Sequence, residues 1–294
     1  MIDLFADTVV PTTKVTLPFP RGIELYIRRE DLLHPEVSGN KFRKLKYNMA
    51  SALAYGHRRV LTFGGAYSNH IAATAAAGRI LGIPTIGVIR GEEIASCYQE
   101  NPTLEKAATD GMQFKFVTRT AYRMKESTSF LAELKREFDD FYLVPEGGTN
   151  PEAVRGAAEI LQEKDAIYDY VCCAVGTGGT IAGLINASFE HQVVLGFPAL
   201  KGDFLHEEIA KYTKKKNWQL ETAYHFGGYA KYNADLLLFI RQFERDTGIL
   251  LDPIYTGKLL FGIFDLIEQN RFKDNSKILA IHTGGLQGWN EKIK

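Results

Sequence analysis

From about residue 57 the chain alternates short apolar runs with longer amphipathic segments. "RRVLTF" from Arg58, "PTIGVI" from Pro84, "QFKFV" from Gln113 and "FYLVP" from Phe141 are short and rich in β-branched or aromatic residues. Glycine, proline or polar residues bound each of them, and the pattern predicts buried strands. Between them, "NHIAATAAAGRILG" from Asn69 and "AYRMKESTSFLAELKREFDD" from Ala121 carry the helical period. A second series begins after Gly147. It runs through helix "PEAVRGAAEILQEK", strand "YVCCAV", helix "TIAGLINASFEH", strand "QVVLGF" and helix "DFLHEEIAKYTKKK". Helices "YNADLLLFIRQFERDTG" and "GKLLFGIFDLIEQN" and strand "KILAIH" complete it.

Strands alternating with helices predict an α/β protein with two open, mostly parallel twisted sheets covered by helices on both faces. The early strand "IELYIRR", from Ile23, has no partner within the first series and is expected to join the second sheet. The expected organisation is therefore a small domain over 46–148 and a discontinuous larger domain over 1–45 and 149–294. Two such lobes would form a cleft where strand ends and helix N-termini meet, a common ligand position.

Composition narrows the classes. Of 294 residues, 45% are hydrophobic and 24% charged, as in ordinary globular proteins. Thirty-five basic and thirty-five acidic residues cancel, which argues against a dedicated nucleic-acid surface. No apolar run approaches the ~18 residues of a membrane span. "MIDLFADTVVPTTKV" lacks a basic flank followed by a long apolar core, so a cytoplasmic protein is expected. The three cysteines make no disulfide framework; Cys172 and Cys173 lie together in an apolar run and read as buried thiols, with no metal expected.

Four Gly-Gly turns close predicted strands: "FGGAYSN", "PEGGTN", "GTGGT" and "HTGGLQG". In "AVGTGGTIAGL", Gly176, Gly178 and Gly179 let the backbone approach an anion, while Thr177 and Thr180 add hydroxyls at a helix N-terminus. No Gly-Lys-Ser/Thr follows, so this is not a nucleotide P-loop. The dinucleotide spacing also fails, because position 181 is Ile where the third glycine belongs. In "GGAYSNH", Ser68 or Asn69 caps an alanine-rich helix, the ordinary structural role of such residues. The succession Ser-Asn-His exceeds what a cap requires.

"VSGNKFRKLKYN" reads as a turn followed by a helix entry, with Lys41 directly after Gly39-Asn40. A solvated basic helix explains the run. So does pyridoxal phosphate chemistry, in which a lysine amine holds the cofactor aldehyde and is released by a substrate amino group. The helix N-terminus and nearby cations would disfavour the ammonium form of Lys41. Lys44, almost one turn on, is placed to reach a phosphate, and Lys46 is expected to face solvent.

Five ordered motifs, "RREDL…SGNKFRKLKYN", "GGAYSNHIAATAAA", "GTGGTIAGL", "LDPIYTGKLLFG" and "IHTGG", resemble the 1-aminocyclopropane-1-carboxylate deaminase and D-cysteine desulfhydrase family. That family belongs to the tryptophan-synthase-β-like, fold type II pyridoxal-phosphate enzymes. The resemblance covers nearly the whole chain, from about residue 10 to 288. It implies pyridoxal 5'-phosphate as cofactor, a small amino acid as substrate and a homodimer, with no nucleic-acid or membrane partner. It implies Lys41 as the covalent cofactor lysine, Lys44 and Gly176–Thr180 on the phosphate, and Asn69 on the cofactor's phenolic oxygen. Ser68 falls where the family places a substrate-binding or proton-handling hydroxyl. Tyr255 matches a tyrosine near the substrate, and Tyr229 in "HFGGYAKYN" resembles a second. The chain departs from many relatives at Tyr67, where they carry Gln.

Two further positions bear on the reaction. The family's deaminases carry Glu after the motif tyrosine and Leu before the last Gly-Gly; this chain has Thr256 and Thr283. A carboxylate beside the cofactor's pyridine nitrogen holds a proton there, which a hydroxyl does less strongly. The resemblance thus points to β-elimination from D-cysteine. The alternatives are 1-aminocyclopropane-1-carboxylate deamination and, in another class, a non-catalytic binder of pyridoxal phosphate or a nucleotide.

Overall fold

The computed structural model describes residues 4–6 and 8–286; Gln287 and Gly288 of the last glycine run lie outside the described residues. In chain order the elements begin with β1 (Thr12–Lys14), β2 (Glu24–Arg28), α1 (Asn40–Ala54), β3 (Val60–Gly64), α2 (Asn69–Leu81), β4 (Thr85–Arg90) and α3 (Pro102–Thr109). Next come β5 (Gln113–Val117), α4 (Arg119–Arg123), α5 (Thr128–Phe138), β6 (Tyr142–Val144) and α6 (Pro151–Ala158). The chain continues through β7 (Tyr170–Val175), α7 (Gly179–Ala187), β8 (Val193–Pro198), α8 (Phe204–Ala210) and β9 (Trp218–Leu220). It closes with α9 (Ala234–Thr247), α10 (Thr256–Glu268) and β10 (Lys277–Ile281). The chain divides into two compact units. One holds Met1–Asp7, Pro35–Val37 and Lys41–Ala153; the other holds Thr8–His34, Ser38–Asn40 and Val154–Lys294.

The smaller unit is built on a parallel sheet in the order β5-β4-β3-β6. Alternate residues of its central strands serve opposite faces, as the period of two requires. Leu61, Phe63, Ile86 and Val88 pack with Phe130, Leu134 and Phe138, whereas Ile89 packs with Ile71, Ala75, Leu104 and Ala107. The expected single helix from Ala121 is two, α4 and α5. Ser127 restarts the helix by accepting the Phe130 N–H, so a capping residue inside an apolar period breaks the run.

The larger unit carries a six-stranded sheet ordered β1-β2-β10-β7-β8-β9, parallel except for β1 against β2. Strand β2, which has no partner in the smaller unit's series, pairs with β10 from the far end of the sequence and carries β1 on its other side. Cys172 and Cys173 are both fully buried on opposite faces of β7, one with Leu259 and Ile263, the other with Val154 and Ile181. Their adjacency reflects a strand covered on both sides. Gly183 serves packing: a Cβ there would lie 2.6 Å from that of Ala157, so glycine lets α7 approach α6. The helix expected to run from Asp203 to Lys216 stops at Ala210, and a short edge strand, β9, follows. The apolar face ends there, since Lys214–Lys216 offers nothing to bury. No helix among the described residues is long and apolar enough to cross a membrane.

Candidate active site

In the larger unit, the neighbouring parallel strands β7 and β10 end side by side, so two glycine-bearing loops leave the sheet at one edge. After β7, Gly178 has φ +87° and forms the N-terminal boundary of α7, and no side chain caps that helix. Its first N–H groups therefore carry no side-chain acceptor, the state in which a helix end receives an anion. Thr180 is nearly buried in the first turn. The Tyr255 ring lies over Gly176, whose missing Cβ would stand 3.4 Å from the ring edge and from the phenol oxygen.

After β10, buried Thr283 meets the turn before α1 through its backbone. Its carbonyl accepts the Asn40 N–H at 3.1 Å, and a Cβ on Gly39, where φ is +62°, would fall 1.9 Å from that oxygen. Only glycine fits that turn. The Asn40 side chain donates to Thr180 Oγ1 at 2.8 Å, tying the residue before Lys41 to the first turn of α7. The Gly-Asn before Lys41 thus has two separate causes, a backbone contact and a hydrogen bond. His282 steadies the same strand end: its Nε2–H donates to the Leu250 carbonyl, and its Nδ1 accepts the Gly284 N–H.

Tyr255 precedes α10, whose entry is capped by Asp252. One carboxylate oxygen accepts the Ile254 and Tyr255 N–H groups; the other accepts the Thr256 N–H and hydroxyl. The fully buried Thr256 hydroxyl therefore donates to Asp252 at 2.6 Å and also accepts the Asp252 N–H. Tyr229, 41% exposed, meets the Tyr255 ring edge to face at 6.2 Å.

In the smaller unit, α1 carries Lys41 and Lys44 on one face. Lys41 is partly buried, and loss of hydration lowers its pKa to about 8; burial is the cause, where the sequence suggested helix dipole and neighbouring cations. Lys44 is buried and donates to the Gly147 carbonyl and to Thr149 Oγ1, so the "PEGGTN" loop receives it. Lys46 is partly buried and stands over the Tyr47 ring.

Ser68 performs the cap, accepting the Ile71 N–H at the start of α2. Gly64 permits the close turn, since a Cβ there would meet Ile71 and Ser68 within 3 Å. The next two side chains each keep an unsatisfied buried atom, Asn69 Oδ1 and His70 Nδ1. Thr62 donates its hydroxyl to the Val144 carbonyl, so His70 Nε2–H must donate to Thr62. That fixes the tautomer and leaves Nδ1 as a bare acceptor. Burial, then the charges of Lys41 and Lys44, pushes the His70 pKa well below its ordinary value.

Sequence reasoning passed over Asp252 and His282, read Asn40 only as part of a turn, and missed the distinct situation of His70. Asp252 was accessible, since an aspartate ahead of an apolar helical run is a capping signal. The other three depend on contacts across long sequence separations.

A family model described as pyridoxal-phosphate dependent enzyme matches residues 6–284. A Pyrococcus horikoshii protein provisionally named 1-aminocyclopropane-1-carboxylate deaminase is 33% identical, over 91% of this chain and 86% of its own length. The mitochondrial bifunctional D-cysteine desulfhydrase/1-aminocyclopropane-1-carboxylate deaminase of Arabidopsis thaliana is 30% identical, over 98% of this chain and 79% of its own. The crystal structure of an ACC deaminase homologue superposes with a TM-score of 0.81 at 28% identity, covering 97% of this chain and 91% of that one. The residues present fit the cofactor this family uses. There is a lysine amine of lowered pKa, a buried amide oxygen with no partner, and a helix N-terminus without a side-chain cap.

Proposed function

This chain belongs to the pyridoxal-phosphate-dependent enzymes, in the family of 1-aminocyclopropane-1-carboxylate deaminase and D-cysteine desulfhydrase, and we propose that it converts D-cysteine to pyruvate, sulfide and ammonia. Bound pyridoxal phosphate supplies an electrophilic aldehyde and an electron-withdrawing ring. We assign Lys41 to the aldehyde, Lys44 and Gly176–Thr180 to the phosphate, and Asn69 to the phenolic oxygen. Lys41 Nζ, once released, takes the proton from the substrate α-carbon. The thiolate then leaves the β-carbon, and water converts the released enamine to pyruvate and ammonia. Ser68 and Tyr255 are assigned to substrate binding and proton handling, and Tyr229 to the substrate side.

The observation that carries the cofactor is the family match over residues 6–284, and burial, which lowers the Lys41 pKa to about 8, supports the neutral amine this chemistry needs. The observation that carries the choice of substrate is Thr256. It offers a neutral hydroxyl whose hydrogen is already committed to Asp252, and the Asp252 charge is shared among three backbone N–H groups. Such a site gives little help in keeping a proton on the ring nitrogen assigned to it. Expelling thiolate tolerates a weaker electron sink; opening a cyclopropane has no comparable leaving group. The second reading, 1-aminocyclopropane-1-carboxylate deaminase, is favoured by the name of the Pyrococcus horikoshii relative. A panel of D- and L-cysteine, D-serine, β-chloroalanine and 1-aminocyclopropane-1-carboxylate decides between them. We expect kcat/KM for D-cysteine to exceed that for the cyclopropane by about 100-fold, near 3 kcal/mol of transition-state discrimination. Comparable values would overturn the substrate while leaving the cofactor in place.

A further inference from the structure

Lys258 lies in the first turn of α10, three residues after Tyr255, and is only 1% exposed. Its Nζ donates to the carbonyls of His225 and Gly228, both at 2.9 Å. The same two carbonyls close successive turns, one accepting the Gly228 N–H and the other the Lys231 N–H. One ammonium therefore clasps both turns, and Tyr229 is the first central residue of the second. The backbone around it does not hold this shape by preference. Phe226 and Ala230 have φ of 51° and 55°, and Gly227 and Gly228 have 92° and 119°. The left-handed region is unfavourable for residues other than glycine, so the conformation needs an external hold. Burial lowers the Lys258 pKa to about 8, opposed by the charge of Asp252. A cation at the positive end of a helix, bonded to neutral carbonyls, is an expensive way to fill space that an aliphatic side chain would fill more cheaply.

We propose that Lys258 is a positioning residue for substrate recognition: by clasping the His225 and Gly228 carbonyls it sets the Tyr229 phenol beside Tyr255. This rests on the assignment of Tyr229 to the substrate side. Affinity for the amino acid then depends on Lys258, whereas the hold on the cofactor does not.

The test uses the holoenzyme and three variants, Lys258→Met, Tyr229→Ala and the double substitution, with D-cysteine kinetics, cofactor content and amide hydrogen exchange over 225–231. Lys258→Met is expected to raise KM about tenfold with kcat changed less than about threefold, the pattern of lost binding rather than lost chemistry. Cofactor content should stay at the wild-type level, and the Gly228 and Lys231 amides should exchange faster. The double variant should be no worse than Tyr229→Ala, because two residues acting through one phenol are not additive. An unchanged KM in Lys258→Met, a loss of bound cofactor, or effects that multiply in the double variant would each overturn the proposal. Unchanged exchange in Lys258→Met would overturn the clasp alone, and an unchanged KM in Tyr229→Ala would overturn the substrate-side assignment beneath it. Should Lys258→Met not fold, the wild type still decides: Gly228 and Lys231 amides exchanging at open-loop rates would refute the clasp.

Discussion

The turn from β3 into α2 and the turn from β7 into α7 begin alike, with glycines ending a buried strand and a helix starting at once. They finish differently. At α2, the Ser68 hydroxyl accepts a helix N–H, and the unsatisfied atoms are on the side chains of Asn69 and His70. At α7, Gly178 in the left-handed region stands where a capping side chain would be, and the helix N–H groups carry no such partner. The first turn presents side-chain acceptors and an amide that can be turned either way. The second presents backbone donors with the helix dipole behind them. Two similar glycine motifs thereby offer different chemistry, side-chain acceptors at one and backbone donors at the other.

The largest effect is expected at the lysine assigned to both tasks. Lys41→Ala should lower turnover by about 1000-fold or more, with borohydride fixing no pyridoxyl group on the remaining peptides. A pyridoxyl label on Lys44 or Lys46 in the wild-type protein would break the assignment. Below about pH 8 the Lys41 amine is protonated, so cofactor loading of the apoprotein should speed up as pH rises through that value. A flat profile from pH 6 to 9 would remove the role given to burial.

Gly39→Ala comes next. Its Cβ would strike the Thr283 carbonyl in a turn that already needs positive φ, so a loss of about 2 kcal/mol or more in stability or loading is expected. Thermal melts of apo- and holoprotein measure it. At the α7 turn, Gly178→Ala brings strain and a contact at 3.1 Å with Ile209. We expect cofactor affinity to weaken about tenfold, some 1.4 kcal/mol, against little change in apoprotein melting. The reverse pattern would make that turn structural.

Ser68 sharpens the contrast from the other side. Ser68→Ala should cost about 1 kcal/mol as a lost cap, and Ser68→Asn should restore most of it. If Ser68 also handles substrate, turnover stays low in both variants and returns only in Ser68→Thr; full activity in Ser68→Asn would reduce the residue to a cap. The smallest effect concerns His70. Its folded pKa lies well below the unfolded value, so its contribution is present above about pH 6.5 and is lost as pH falls towards the folded value. His70→Gln should flatten the acid side of the stability profile by up to about 1.4 kcal/mol per pH unit. An unchanged slope would mean that His70 is not held neutral.

Much of this was legible in one dimension. "VLTF", "YVCCAV" and "KILAI" are apolar beyond the needs of a one-sided sheet, so a sheet covered on both faces follows from them alone. The Gly-Asn-Lys order, the glycines at strand ends and the motif sequence around Tyr255 placed the candidate residues in the right elements. Local chemistry was read less well where a cap competed with a period, as at Ser127, or where a charge run ended a helix, as after Ala210.

What the sequence determined by itself is whatever depends on near neighbours: strand against helix, which loops are glycine-bearing, which lysine enters a helix. Tertiary structure decided the partners of those groups. Asn40 became an anchor because Thr180 lies 140 residues away in the chain yet 2.8 Å away in space, and Gly39 became obligatory because β10 brings the Thr283 carbonyl against it. Likewise the Lys41 pKa, the bare nitrogen of His70 and the clasp made by Lys258 depend on burial and on acceptors supplied by distant segments. Hydration and hydrogen bonding act through space, so residues distant in the chain set the protonation and orientation of a group whose own sequence neighbours only place it.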